Sequence, residues 1–288
     1  MDGWNQYVVT IAELTICFYT EQKIAINDNF RPFCSKKEPD YTIWFYQVEE
    51  LKEFPTVWAY EGISYVAAPD GHGGYWRMFR DAKRNNRPYA TAEYDWTNRR
   101  INVEYLPGSM EFVCEIESCF FHIAWEAVLM HENRILLHSA LVDTTFGGIL
   151  FSGPSGIGKS TQADLWCRFR NGRLLNGDRA VLHPENGRWM AYGSPYAGSS
   201  RCYINEKCQV RAIVMLKQAE QCSLRNLGSA EGFRKVFSGL TVNSWDMEFV
   251  SFAADYAETI AMQIPIYELS CTPDENAVKI LENELKDS

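Results

Sequence analysis

Over the first hundred residues polar and apolar positions tend to alternate, the period of a half-buried strand. Residues 7–20 (YVVTIAELTICFYT), 41–48 (YTIWFYQV), 56–68 (TVWAYEGISYVAA) and 100–107 (RINVEYLP) are dense in β-branched and aromatic side chains. Turn chemistry separates them, in APDGHGG (68–74) and DWTNRR (95–100). At 111–133 (EFVCEIESCFFHIAWEAVLMHEN) the period changes to three and four, which predicts one helix. From residue 135 strands and helices alternate. ILLHSALVD, a turn at TTFGG and ILFSG lead into a glycine-rich loop and a helix to about Phe169. GRLLNGDRAVLHP, GRWMAYGSP and QVRAIVMLKQ then read as strands, and helices follow near 229–239 and 244–262. PIYELSC is a last strand. TPDENAVKILENEL is a last helix, with Thr272 as N-cap, Pro273 at the first helical position and Glu275 closing a capping box. The pattern predicts a β-rich domain over 1–110, then a connecting helix and an α/β domain over 111–288.

The chain has 288 residues, enough for one large domain or two ordinary ones. Its formal net charge of −9 argues against nucleic acid or an anionic membrane as a partner held by bulk electrostatics, while leaving room for one anionic ligand in a local positive field. No apolar run reaches the length of a membrane span, and the amino terminus lacks the basic-then-apolar order of a signal peptide. Nine scattered cysteines include no C-x-x-C pair, so reduced thiols and a cytoplasmic location are expected. Cys114, Cys119 and His122 do not converge on one point of a helix and read as core rather than as metal ligands. Trp44, Trp58, Trp76 and Trp96 either fill the β core or form a recognition surface.

Candidate chemistry centres on GILFSGPSGIGKSTQADLW (148–166). Gly153, Gly158, Lys159 and Ser160 satisfy G-x-x-x-x-G-K-[ST], between a predicted strand and a predicted helix. Glycines at 153, 156 and 158 can adopt backbone angles that turn successive N–H groups inward around an anion. The following helix presents its positive end to the same place. Residues Gly153, Pro154, Ser155, Gly156, Ile157, Gly158, Lys159, Ser160 and Thr161 are therefore the candidate nucleotide-binding set. Lys159 is positioned for the β- and γ-phosphates and Ser160 for a magnesium ion. Asp178, ending the apolar run of GRLLNGD, is the first carboxylate a later strand could deliver. There is no N-K-x-D base reader, and the D-x-x-G string at Asp70–Gly73 precedes the loop, the wrong order for a GTPase.

These residues, LLHSALVDTTFGGILFSGPSGIGKSTQADLW with GRLLNGDRAVL, resemble the kinase domain of HPr kinase/phosphorylase, a fold shared with ATP-dependent phosphoenolpyruvate carboxykinases. The later YGSP, RAIVMLKQ and PIYELSCTPDENAV are similar to HPr kinase-like proteins that accompany peptide-modification genes. The resemblance covers about residues 134–288 and leaves the first 110 unmatched. It implies ATP and Mg2+ as cofactors and transfer of the γ-phosphoryl to a hydroxyl acceptor: a peptide, a protein serine or a small molecule. Catalytic roles would fall to Asp178, His138 and Lys159, with Ser160 and Asp178 as metal ligands. His138, fifteen residues before Gly153, is either an active-site group or a histidine satisfied within its strand. Arg179 and Arg201 are either phosphate contacts or surface residues. Where the family has two adjacent aspartates, this chain has Gly177-Asp178, and it lacks the glycine-rich segment that engages HPr. The resemblance therefore carries neither HPr as substrate nor the reverse phosphorolysis. The alternative is a nucleotide-responsive binding module without transfer. The acceptor, adenine versus guanine preference and homo-oligomerisation stay open at this level.

Overall fold

The computed structural model describes residues 3–71 and 74–287. The D-x-x-G string and the APDGHGG turn thus lie partly outside the described residues. The chain divides into two compact units, Met1–Val128 and Leu129–Ser288, and the architecture is mixed α/β with two large sheets.

The first unit is an eight-stranded sheet built from β1 (Asn5–Ile11), β2 (Leu14–Thr20), β3 (Tyr41–Gln47), β4 (Tyr60–Glu61), β5 (Tyr65–Pro69), β6 (Tyr75–Asp81), β7 (Arg87–Asp95) and β8 (Arg100–Tyr105). Its order is β1-β2-β3-β8-β7-β6-β5-β4; β3 runs parallel to both neighbours and every other pair is antiparallel. The run at 7–20 is two strands, not one. Ala12 and Glu13 both take left-handed angles (φ 50° and 65°) and close a two-residue hairpin without the Asn-Gly chemistry that would announce it.

The helix expected over 111–133 is also divided, into α1 (Ile116–His122) and α2 (Trp125–His131), with Ala124 left-handed at φ 56° between them. His122, Ile123, Ala124 and Trp125 are all buried, each 3% exposed or less, and one helical stripe cannot bury four consecutive residues. The kink does. The unit boundary falls inside α2, so 111–128 belong with the sheet of the first unit instead of opening the second. His122 and Cys119 are core residues, as expected, but Cys114 precedes α1 and is only half-buried, so the core reading does not extend to it. The imidazole contacts the Tyr89 hydroxyl at 3.0 Å and the Ser118 carbonyl at 2.7 Å, which occupies both ring nitrogens, and burial holds its pKa down at about 4.

In the second unit, β9 (Ile135–Thr144) and β10 (Gly147–Ser152) form a hairpin. Then come α3 (Lys159–Arg170), β11 (Arg173–Asn176), β12 (Arg179–Glu185), β13 (Arg188–Tyr192), β14 (Lys207–Gln218), β15 (Ser223–Asn226), α4 (Ser229–Gly239), α5 (Met247–Gln263), β16 (Ile266–Cys271) and α6 (Glu275–Asp287). The strand order is β10-β9-β12-β13-β14-β16-β15, with β11 on β9 and a further parallel pairing of β10 with β14. The long strands β9 and β14 each serve two sets of neighbours: β9 pairs with β12 through 135–138 and with β10 through 139–144.

Alternate residues of the central strands enter opposite cores. Leu137, Leu141, Leu150, Ile213 and Met215 pack towards α4 and α5, whereas Ala140, Val142, Phe151, Ala212 and Val214 pack with Trp166 of α3 and Leu281 of α6. Burial on both faces is why these strands read as continuous apolar runs. The last helix begins three residues beyond Thr272. Asp274 accepts the Asn276 N–H at 2.8 Å and a bond from the Thr272 hydroxyl at 2.7 Å. Aspartate is as good an N-cap as threonine, and it stands nearer the helical residues. Glu275 closes no capping box; it pairs with Lys279 and Arg170. No described helix is long and apolar enough to cross a membrane.

Candidate functional site

Strand β10 ends at Ser152 and α3 begins at Lys159, so residues 153–158 form a loop at one end of the sheet. Gly153, Gly156 and Gly158 have φ values of 145°, 78° and 112°, angles that side chains with a Cβ rarely adopt. Ile157 packs back on Gly153, 3.2 Å from where a Cβ there would lie, and joins the core beside α3. Beyond their immediate chain neighbours, nothing lies within 4 Å of a Cβ built on Gly156 or Gly158, so these two positions border open space. Pro154, Ser155, Gly156 and Thr161 are exposed and Ser160 is half-buried.

Lys159 is only 8% exposed. Its Nζ donates to the carbonyls of Gly153 (3.1 Å) and Pro154 (3.2 Å), so the ammonium is folded over the loop. Burial lowers its pKa and the Asp178 carboxylate opposes the shift. Three glycines in these conformations and one buried cation thus share a loop between a strand and the start of a helix, a place where backbone N–H groups can meet an anion.

Asp178 lies on the two-residue turn between β11 and β12. Its Oδ1 is 3.2 Å from Nε2 of His138 on β9, and its Oδ2 is 3.7 Å from Nε of Arg179. The pairing of His138 with Arg179 across β9 and β12 sets these neighbours in register. Burial, with Lys159 and Arg179 adding to it, lowers the His138 pKa, and Asp178 opposes. The imidazole is therefore neutral at pH 7. His138 is also tied to the loop strand, because the Ser152 hydroxyl donates to the His138 carbonyl at 2.9 Å. The fold thus gathers Lys159, His138, Asp178 and Arg179. Arg201 stands apart, exposed and left-handed at the end of a short 3-10 turn.

Several residues that shape this cluster carry no motif. Asn176 is fully buried, and its Oδ1 accepts the N–H groups of Asp178 (3.0 Å) and Arg179 (2.7 Å). Its Nδ2 donates to the carbonyls of Ser194 (2.9 Å) and Tyr196 (3.1 Å). Thr241, just after α4, accepts from Arg179 Nη1 at 3.2 Å. Ser200 fills the space beside Gly177: a Cβ on that glycine would fall 1.8 Å from the Ser200 Oγ. An asparagine before a turn is a common Asx-turn signal. The other contacts cross from 18 to more than 60 residues of chain, and no local pattern announces them.

No protein-family model and no curated protein sequence matches the chain. Among solved structures it is similar to the HPr(Ser) kinase/phosphatase from Coxiella burnetii, at 13% identity over 53% of this chain and 91% of that one, with a TM-score of 0.34. At that TM-score the likeness decides nothing about this chain, whose function is read from the geometry of its own site.

Proposed function

We propose that the second unit is an ATP- and magnesium-dependent phosphotransferase that moves the γ-phosphoryl group to a hydroxyl acceptor. The observation that carries the reading is the juxtaposition of the open glycine loop and its buried Lys159 with the His138–Asp178 pair. A loop that only bound nucleotide would need no carboxylate–imidazole pair electrostatically coupled to its lysine.

ATP would supply the phosphoryl group, and magnesium would neutralise its oxygens. The N–H groups of the loop and of the start of α3 would bind the phosphates, with the Lys159 ammonium beside them. The Ser160 hydroxyl and the Asp178 carboxylate would be the oxygen ligands for the metal, the donor type that magnesium prefers. Phosphoryl transfer asks the protein for positioning and charge neutralisation. The acceptor hydroxyl loses its proton to Asp178 or to neutral His138 as its oxygen bonds to phosphorus and ADP leaves.

The test is incubation of the full chain with γ-labelled ATP, magnesium and panels of peptides, proteins and small hydroxyl compounds. Labelled product is expected, falling by about 10²–10⁴-fold in Asp178→Asn, the usual worth of a general base. Nucleotide affinity should change far less. Binding without transfer to any acceptor, or to water, would replace this reading with a nucleotide-responsive module.

A further inference from the structure

We infer that Asn176 is a positioning residue that sets the Asp178 carboxylate for reaction by locking the 176–179 turn to the 194–196 segment, an inference that rests on the phosphotransfer reading. The side chain is 0% exposed, and both ends of its amide are used. The oxygen takes the two N–H groups that bracket Asp178, and the nitrogen gives to two carbonyls of a segment about twenty residues later. Ser194, itself 0% exposed, closes the circuit: its hydroxyl donates to the Arg179 carbonyl at 2.5 Å and accepts the Tyr196 N–H at 3.2 Å. The Asp178 carbonyl is held from the other side by the Ser139 N–H at 2.8 Å.

Gly198 then rests on the Asp178 side chain, with a Cβ on Gly198 falling 3.0 Å from the Asp178 Cβ. Asp178 itself is only part-buried, and its two side-chain partners, His138 and Arg179, are themselves partly exposed. Its placement therefore comes from its backbone, which Asn176 holds by two bonds beside those from Ser139 and Ser194. A fully satisfied buried polar network of this kind specifies one arrangement, and loss of one member releases the rest. Misplacing a reacting group by about 1 Å can cost on the order of 10²-fold in rate.

The experiment compares Asn176→Ala, which removes both functions, with Asn176→Ser, whose hydroxyl keeps a weaker bond to the following N–H groups. Amide hydrogen exchange on the full chain reports the lock whether or not the protein turns over. In Asn176→Ala the amides of 178 and 179 should exchange at least about tenfold faster, with β10 and β14 unchanged, and Asn176→Ser should recover most of that protection. Unchanged exchange at 178 and 179, or acceleration throughout the unit, overturns the inference.

Single-turnover hydrolysis of MgATP, with water as acceptor, supplies the functional arm. Asn176→Ala should be slowed about 10²-fold with ATP affinity within about threefold of the parent. Added to Asp178→Asn it should cause little further loss, because it acts through Asp178. Multiplicative losses would mean that Asn176 merely supports the fold, and that outcome also overturns the inference. A parent protein that neither hydrolyses nor transfers phosphate defeats the phosphotransfer reading and, with it, the catalytic part of this one; the exchange data then still decide whether Asn176 holds the turn.

Discussion

Gly177 stands beside Asp178 at a position where the structure leaves no room for a side chain. Its backbone is not left-handed, so alanine at 177 meets no conformational objection. With free space around it, Gly177→Ala would raise stability by about 0.4–1 kcal/mol through the unfolded state. The space is taken. The new Cβ would sit 1.8 Å from Ser200 Oγ, 2.4 Å from Ser200 Cβ and 3.0 Å from the Ala197 carbonyl oxygen. Ser200 cannot swing away cheaply, because its hydroxyl donates to the Ala197 carbonyl at 2.7 Å and accepts the Cys202 N–H at 3.2 Å. Two neutral hydrogen bonds at about 1 kcal/mol each, and overpacking of about 1–3 kcal/mol, give a loss on the order of 3 kcal/mol. Ser200→Gly alone should cost about 1–2 kcal/mol for the same two bonds. The double variant should be more stable than the sum of the two single losses by roughly 2 kcal/mol, since the clash needs both side chains. Urea unfolding of the four proteins, followed by tryptophan fluorescence, measures the cycle. A stabilised Gly177→Ala, or strict additivity with Ser200→Gly, would show that the 197–202 turn does not fill this position.

Two further predictions concern stability and pH. The pKa of His122 is about 4 in the fold, against about 6.5 when unfolded. The unfolded chain therefore takes up a proton that the fold refuses, and stability is full above pH 6.5 and lost as pH falls towards 4. Over that window about 3 kcal/mol should disappear from the first unit. His122→Gln, which keeps a polar side chain at the Tyr89 and Ser118 contacts, should flatten the dependence; equal pH slopes in parent and variant would refute the assignment. At the start of α5, the Asp246 carboxylate accepts the N–H groups of Glu248 and Phe249 at 3.0 and 3.2 Å. Asp246→Ala should cost about 1 kcal/mol in thermal or urea unfolding, and a neutral substitution would mean that this cap contributes nothing.

What was legible in the sequence is what local physics determines. The glycines of the loop had to be where the backbone turns left-handed, and Gly153, Gly156 and Gly158 are. Runs such as ILLHSALV had to be buried on both faces, and alternate residues of β9 do enter opposite cores. Asp178 at the end of an apolar run had to fall on a turn at the strand ends. What was illegible depended on tertiary context. Ala12-Glu13 and Ala124 adopt left-handed angles that neither alanine nor glutamate favours, because the surrounding sheet and core fix the path of the chain. The polar edge strand β15 has no apolar alternation to mark it and is defined by its pairing with β16. Around the site, Ser194, Gly198, Ser200 and Thr241 act through contacts distant in sequence, so their chemistry is ordinary until the fold brings them to Asp178 and Arg179.

Titration calorimetry of MgATP into the parent chain and Lys159→Ala tests the central claim, that the 153–161 loop is a nucleotide-phosphate site. The Lys159 ammonium is buried and bonded to the loop carbonyls of Gly153 and Pro154, so its full positive charge stands at the proposed phosphate site. One ATP should bind per chain, with affinity weakened at least about tenfold in the variant; a charge-assisted contact of about 1.5–3 kcal/mol corresponds to that change or more. Absence of binding to the parent, or the same affinity in both proteins, would contradict that claim.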